Sequence, residues 1–314
     1  MRIHRIATVA AGLSVLAALT AVPATAEEPG EQPNPPSWGL DRIDQRTGTD
    51  QLYRYQTRAE KVTAYIIDTG VDADLPDLAG RVVGGKDFVD GDENPDDGNG
   101  HGTHLAAIVG GEDFGVAKDV RIMPVRILDD AGAGQIAKMI EGIDWVVANA
   151  QQPAVAILGL GGPANQAIDD AVRRLAAVMP VAVPAGGSGS DAGQFSPARV
   201  PEAVTVAASD SADGAAENSN FGPSVDLYAP GVRISSPGSD GGTRVLSGTS
   251  TAAAHVAGAL ALYRALHPDA TAPQAAQAVV DNATKDVLRA VPGGTPNRLL
   301  HTLVENREMS ITRD

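Results

Sequence analysis

Between Thr249 and about Leu266 the chain is so rich in Ala, Val and Leu that it reads as a buried helix, one that a fold must enclose rather than carry on its surface. The stretch that opens it, Leu246-Ser247-Gly248-Thr249-Ser250-Thr251, sets a glycine that permits close backbone approach beside two small hydroxylic residues. Ser250 therefore stands at a helix N-terminus. There the orphan N–H groups and the positive end of the macrodipole favour an anion forming beside the hydroxyl, which is what an acyl-transfer nucleophile needs. On its own such a serine is usually just a cap.

Two other stretches select between these readings. Lys61 to Ile67 alternates and is rich in Val, Ile and Tyr, so it reads as a strand that delivers Asp68-Thr69-Gly70 at its carboxyl end. Gly98-Asn99-Gly100-His101-Gly102-Thr103-His104 then opens a small-residue helix. Serine catalysis needs a base within reach of the hydroxyl and a buried carboxylate to orient and stabilise that imidazole, and His101 and Asp68 suit these roles. Downstream, strands and helices alternate. Val120–Leu128, Val155–Leu158, Val181–Val183 and Ala203–Ala207 read as strands, and Gln135–Ala148, Ala164–Val178 and Pro273–Val280 as helices. The expectation is an α/β fold of three layers, a mostly parallel sheet with helices on both faces and its chemistry along the carboxyl ends of the strands.

Asp-Thr-Gly after a strand, Gly-His-Gly-Thr-His opening one helix and Gly-Thr-Ser opening another, in that order, resemble the subtilisin family of serine proteases. The proteinase K and aqualysin branch is the most similar, through Trp38-Gly39-Leu40-Asp41-Arg42-Ile43, Asn218-Ser219-Asn220-Phe221-Gly222, Val225 to Gly231 and Pro296-Asn297-Arg298-Leu299-Leu300. The resemblance covers about Trp38 to Leu303. It implies a secreted, monomeric endopeptidase with Ser250 as nucleophile, His101 as base and Asp68 as its orienter. No organic cofactor is expected.

Met1 to Ala26 carries Arg2 and Arg5, an apolar run and Ala24-Thr25-Ala26, and reads as a secretory signal peptide rather than a membrane anchor. Residues 27–37 form a Pro/Glu-rich linker, 38–304 the peptidase domain and 305–314 a polar tail. Without the leader's two arginines the chain holds 22 basic against 39 acidic residues, a net charge of −17 that repels nucleic acid and anionic membranes. There is no cysteine, so stability comes from packing and bound metal. The family's inhibitory prodomain has no room in residues 27–37, and a prodomain-like inhibitor or chaperone acting in trans is the expected partner besides the peptide substrate.

The site departs from the family at several places. Where an asparagine is expected to help bind the oxyanion, the sequence has Gly187, following Pro184-Ala185-Gly186. Ser188 is the nearby candidate to substitute. Thr251 stands for the usual Met and Ala254 for the usual Pro, and the substrate-pairing Ser-Leu-Gly-Gly strand appears as Gly159-Leu160-Gly161-Gly162. The primary pocket would be walled by Leu160 to Gly162 and Pro184 to Gly186, uncharged and so suited to an apolar side chain. These departures set an attenuated peptidase against a catalytically degenerate homologue that binds peptides or a partner. The acidic loop from Asp87 to Asp97 reads as a calcium loop, a field beside the cleft or a solvated surface. The resemblance implies calcium at Pro201, Ala203 and Asp226, and a second site at Asp41, Asp44 and Gln45. His104 and His255 read as packed, hydrogen-bonded histidines.

Overall fold

The computed structural model describes residues 29–238 and 242–303. The expected signal peptide and polar tail lie outside the described residues. Six strands make the body of the sheet: β1 Thr63–Asp68, β2 Arg121–Arg126, β3 Ala154–Leu158, β4 Val181–Pro184, β5 Val204–Ser209 and β6 Leu227–Pro230. All pair in parallel in the order β6-β5-β4-β3-β1-β2. Short strands extend both edges, Lys86–Asp87 beside β2 and Arg298–Leu299 beside β6, with Thr284–Lys285 outermost and antiparallel. The α/β expectation holds.

The longer helices are α1 His101–Gly110, α2 Ile136–Asn149, α3 Gln166–Val178, α4 Thr249–Leu266 and α5 Ala272–Asn282, and a short one spans Trp38–Ile43. Alternate residues of each strand serve opposite faces, so strands enclosed on both sides read as continuous apolar runs. Ala64, Ile66, Ile122, Val155, Ile157 and Val206 pack with α1 and α4 in one core, while Tyr65, Ile67, Val125, Ala156, Leu158 and Val183 pack with α2 and α3 in the other. Helix α4 is buried nearly all round, from Thr251 through Leu262, as its composition requires.

Chain order places the chemistry. From β1 the chain crosses by α1 to β2 on one side, then returns over β1 to β3 and continues to β4, β5 and β6 on the other. The reversal lies between β1 and β3. A crevice opens there at the carboxyl ends, where the loop Gly159–Gly162 leaves β3 beside Asp68.

The segment read as a linker is not free of the domain. Gly30–Pro33 pairs antiparallel with Leu52–Tyr55, and Gln32 accepts from the buried Lys118 Nζ at 2.6 Å. Its polarity hid a strand held by backbone bonds and one buried side chain.

Candidate active site

Asp68 ends β1 fully buried. Its Oδ1 faces His101 Nδ1 at 2.8 Å and accepts from the Thr69 N–H at 2.8 Å. His101 begins α1, and its Nε2 lies 3.1 Å from Ser250 Oγ in the first turn of α4. Three elements far apart in sequence thus bring the three residues into one line. Such a line can move a proton from a serine hydroxyl to an imidazole whose tautomer a carboxylate fixes.

Space as well as bonding positions Asp68. A Cβ at Gly159 would stand 1.8 Å from Asp68 Oδ2, so the glycine leaves room for the carboxylate in this orientation. Oδ2 itself has no hydrogen-bond partner. Burial draws the His101 pKa down, but the Asp68 charge and hydrogen bond, with Asp97 beyond, outweigh it and raise the value above the ordinary 6.5; Arg244 pulls the other way.

The anchor of this half is Asp97, which the sequence reading had only as one of six acids in a loop. Its Oδ1 accepts from Thr69 Oγ1 and from the N–H groups of Asn99 and Gly100; its Oδ2 accepts from Thr103 N–H and Oγ1, all between 2.6 and 3.0 Å. A carboxylate at the N-terminus of α1 satisfies donors that the helix leaves open. Burial raises its pKa, but the bonds from Thr103, Gly100 and Thr69 outweigh that and hold it below the usual carboxylate value. Elsewhere in the acidic loop, Asp87 and Asp90, together with Asp130, close on the Arg126 guanidinium at 2.5 to 2.9 Å. Asp87, Asp90 and Asp97 are thus already engaged by protein donors, which counts against the calcium-loop reading of Asp87 to Asp97.

The residues expected to wall the primary pocket do surround one cavity, of about 330 Å³. Gly159–Gly162 and Pro184–Ser188 line it with Phe195, Asn220, Thr249 and Ser250. Beside it a larger groove of about 600 Å³ runs past His101, Leu128, Ile136, Met139 and Leu160.

The loop from Pro184 hangs on Asn220. This fully buried side chain donates from Nδ2 to Ala185 O, and its Oδ1 accepts from Ser188 N–H, Ser188 Oγ and Ser190 N–H. Ser188 is therefore committed and does not fill the place of the missing asparagine. Gly186 takes φ +101°, and its N–H donates to Thr249 Oγ1 at 3.1 Å. At Gly187 a Cβ would meet nothing nearer than Asn218 O at 4.0 Å, so the position has space for a side chain it does not carry. Thr251 Oγ1 donates to Gly248 O at 2.8 Å and ties the start of α4.

The other histidines divide. His255 Nδ1 bonds Thr251 O at 2.8 Å in a fully buried site that lowers its pKa to about 4. His104 is buried too; the backbone of Ile234 and Arg244 approaches its ring without the alignment of a strict hydrogen bond, and burial lowers its pKa to about 4.

The two implied calcium sets fit unequally. Both oxygens of Asp41 already accept, from Gln45 Nε2 and the N–H groups of Asp50 and Gln51. Beside it Asp44 keeps a buried Oδ1 with no partner, and burial, only partly offset by Arg54, lifts its pKa to about 6. Asp226, also lifted to about 6 by burial, shares a cavity of about 470 Å³ with Pro201 and Ala203, where Arg298 already supplies positive charge. The orphaned oxygen makes the Asp44 set the better fit to a hard cation.

A family model described as the Subtilase family of S8 peptidases matches residues 59–301. The chain is 44% identical over 273 residues to an extracellular serine proteinase of Thermus sp. (strain Rt41A), covering 86% of this chain and 67% of that one. It is 43% identical over 270 residues to alkaline serine exoprotease A of Vibrio alginolyticus, covering 85% of this chain and 50% of that one. The crystal structure of a cold adapted subtilisin-like serine proteinase superposes with a TM-score of 0.84 at 44% identity, covering 85% of this chain and 98% of that one.

Proposed function

The chain belongs to the subtilase family of serine peptidases, and from that premise we propose that it is a secreted serine endopeptidase, slowed by a half-built oxyanion hole. Ser250 Oγ attacks the scissile carbonyl while His101 Nε2 takes its proton. The carbonyl oxygen becomes an anion beside the Ser250 N–H, in the first turn of α4, where N–H groups lack intrahelical acceptors. His101 then gives the proton to the departing amine, leaving an acyl-enzyme. Water, deprotonated by His101, attacks the acyl carbon and frees Ser250. The observation that carries the reading is the unbroken line Asp68–His101–Ser250 at 2.8 and 3.1 Å.

Substrate lies extended along Gly159–Gly161 and sets an apolar side chain into the uncharged cavity between Leu160 and Gly186. Attenuation is inferred from Gly187, which has no side chain to donate. In subtilisin itself the loss of that donor costs about 10²–10³ in turnover. Secretion is supported by the leader-like sequence of residues 1–26 and by the extracellular relative, and no helix among the described residues is long and apolar enough to cross a membrane. Calcium, where bound, adds charge neutralisation at Asp44, and secondarily at Asp226.

The test is labelling with a fluorophosphonate, alongside casein hydrolysis. A peptidase labels at Ser250 and loses both signals on Ser250→Ala. A chain that neither labels nor cleaves is the degenerate binding homologue that the loss at Gly187 would also suit.

A further inference from the structure

Arg244 lies six positions before Ser250, on the outer strand of the antiparallel pair Ile234–Pro237 and Thr243–Leu246. The inner strand is anchored, since Ser236 Oγ donates to His104 O at 3.0 Å on the helix that carries His101. Arg244 is exposed, and its Nη1 donates to Asn99 O at 3.3 Å, two residues before His101. The guanidinium thus reaches across beside the imidazole, near enough for its charge to oppose protonation of His101.

Neither cavity on the acyl side includes a residue of this strand pair. Asn99, which accepts from Arg244, stands at the rim of the Leu160 groove. The strand pair itself runs directly into the start of α4 at Ser250, so we place it beside the His101–Ser250 pair on the face where the residues after the scissile bond pass. Among the described residues Arg244 forms no ion pair, and one long bond to a carbonyl leaves most of its N–H donors open. Arg126, at the end of β2, is by contrast closed in by three carboxylates.

We propose that Arg244 is a specificity-determining residue of the leaving-group side, favouring a carboxylate side chain at the first or second residue after the scissile bond. A guanidinium matches a carboxylate in a forked pair, and against a surface of net negative charge it makes a local exception that an acidic side chain would seek. The partner is then a peptide that is apolar before the cut and acidic after it. This inference rests on the peptidase reading.

The experiment uses peptides with one apolar residue before the scissile bond and Glu, Gln or Lys in the two positions after it. Their kcat/KM is measured with wild type, Arg244→Gln and Arg244→Glu at low and physiological ionic strength. Wild type should favour Glu over Lys by about fivefold or more at low salt, mostly through KM, with the preference shrinking as salt screens it. Arg244→Gln should level the series and Arg244→Glu invert it. Because each ratio is taken within one protein, a variant of lower overall activity still reports. Ratios unchanged by charge reversal would overturn the inference while leaving the peptidase reading intact. No cleavage of any peptide by wild type would overturn both.

Discussion

On the His101 side of the site five hydrogen bonds converge on the buried Asp97, binding the loop before α1 to Thr69 and to the first turn of the helix. On the oxyanion side the loop Pro184–Ser190 carries three glycines and is held by the Asn220 side chain, by Thr249 Oγ1 at Gly186 and by backbone bonds at Gly186, Gly189 and Ser190. The first half holds the loop before the base through one carboxylate that takes five donors. The second shapes a pocket but offers no side chain at Gly187. Proton transfer and charge stabilisation are separable duties, and in the function proposed above only the first is fully furnished.

Breaking the furnished half should have the largest effect. Asp68→Asn keeps the shape but reverses the hydrogen-bond demand on His101 Nδ1, and kcat should fall by about 10⁴, measured on casein or a chromogenic peptide. Gly159→Ala pushes a methyl group against Asp68 Oδ2, so activity should fall by about 10²-fold or more while circular dichroism stays native. Asp97→Ala strands several buried donors, and thermal unfolding should report a loss of about 3 kcal/mol. Its pH dependence follows from the sign of the shift. Asp97 sits below its unfolded value of 3.8, so its contribution is present above that pH and lost as pH falls through the folded value. The variant should therefore lose less stability than wild type on acidification below about pH 4.

Smaller effects sharpen the same contrast. His101 must be neutral to act as base, and its raised pKa puts the acid limb of kcat/KM above pH 6.5. Asp97→Asn removes a negative charge that favours the imidazolium, so the limb should move to lower pH. Calcium should raise the melting temperature by a few degrees. Asp44→Asn should abolish more of that gain than Asp226→Asn, because Arg298 already supplies positive charge beside Asp226.

Much of the furnished half was legible in the sequence, because its parts are local signals: a β-branched run ending in Asp68, a glycine-flanked His101 and Ser250 opening a small-residue helix. The parallel sheet followed from strand and helix alternation, and β1, β3, α2 and α3 begin and end within a few residues of expectation. What stayed hidden depends on partners distant in the chain. Asn220 acts on Ser188, Arg244 meets Asn99 across 145 positions, and nothing about Asp97 distinguishes it from its neighbours until Thr69 and Thr103 fold against it. Two-residue edge strands and the Gly30–Pro33 strand lack enough apolar alternation to announce themselves. Gly187 was legible as a loss. That the space for an asparagine is still there needed the fold.

The measurement that tests this account most directly is kcat for Gly187→Asn beside wild type, with Ser250→Ala as the blank. Position 187 has room for the side chain, and the base it would assist is in place, so turnover should rise by about 10²–10³-fold, the scale of that donor in subtilisin itself. A folded Gly187→Asn protein that turns over no faster than wild type would contradict the claim that one absent donor separates this site from a fully built one.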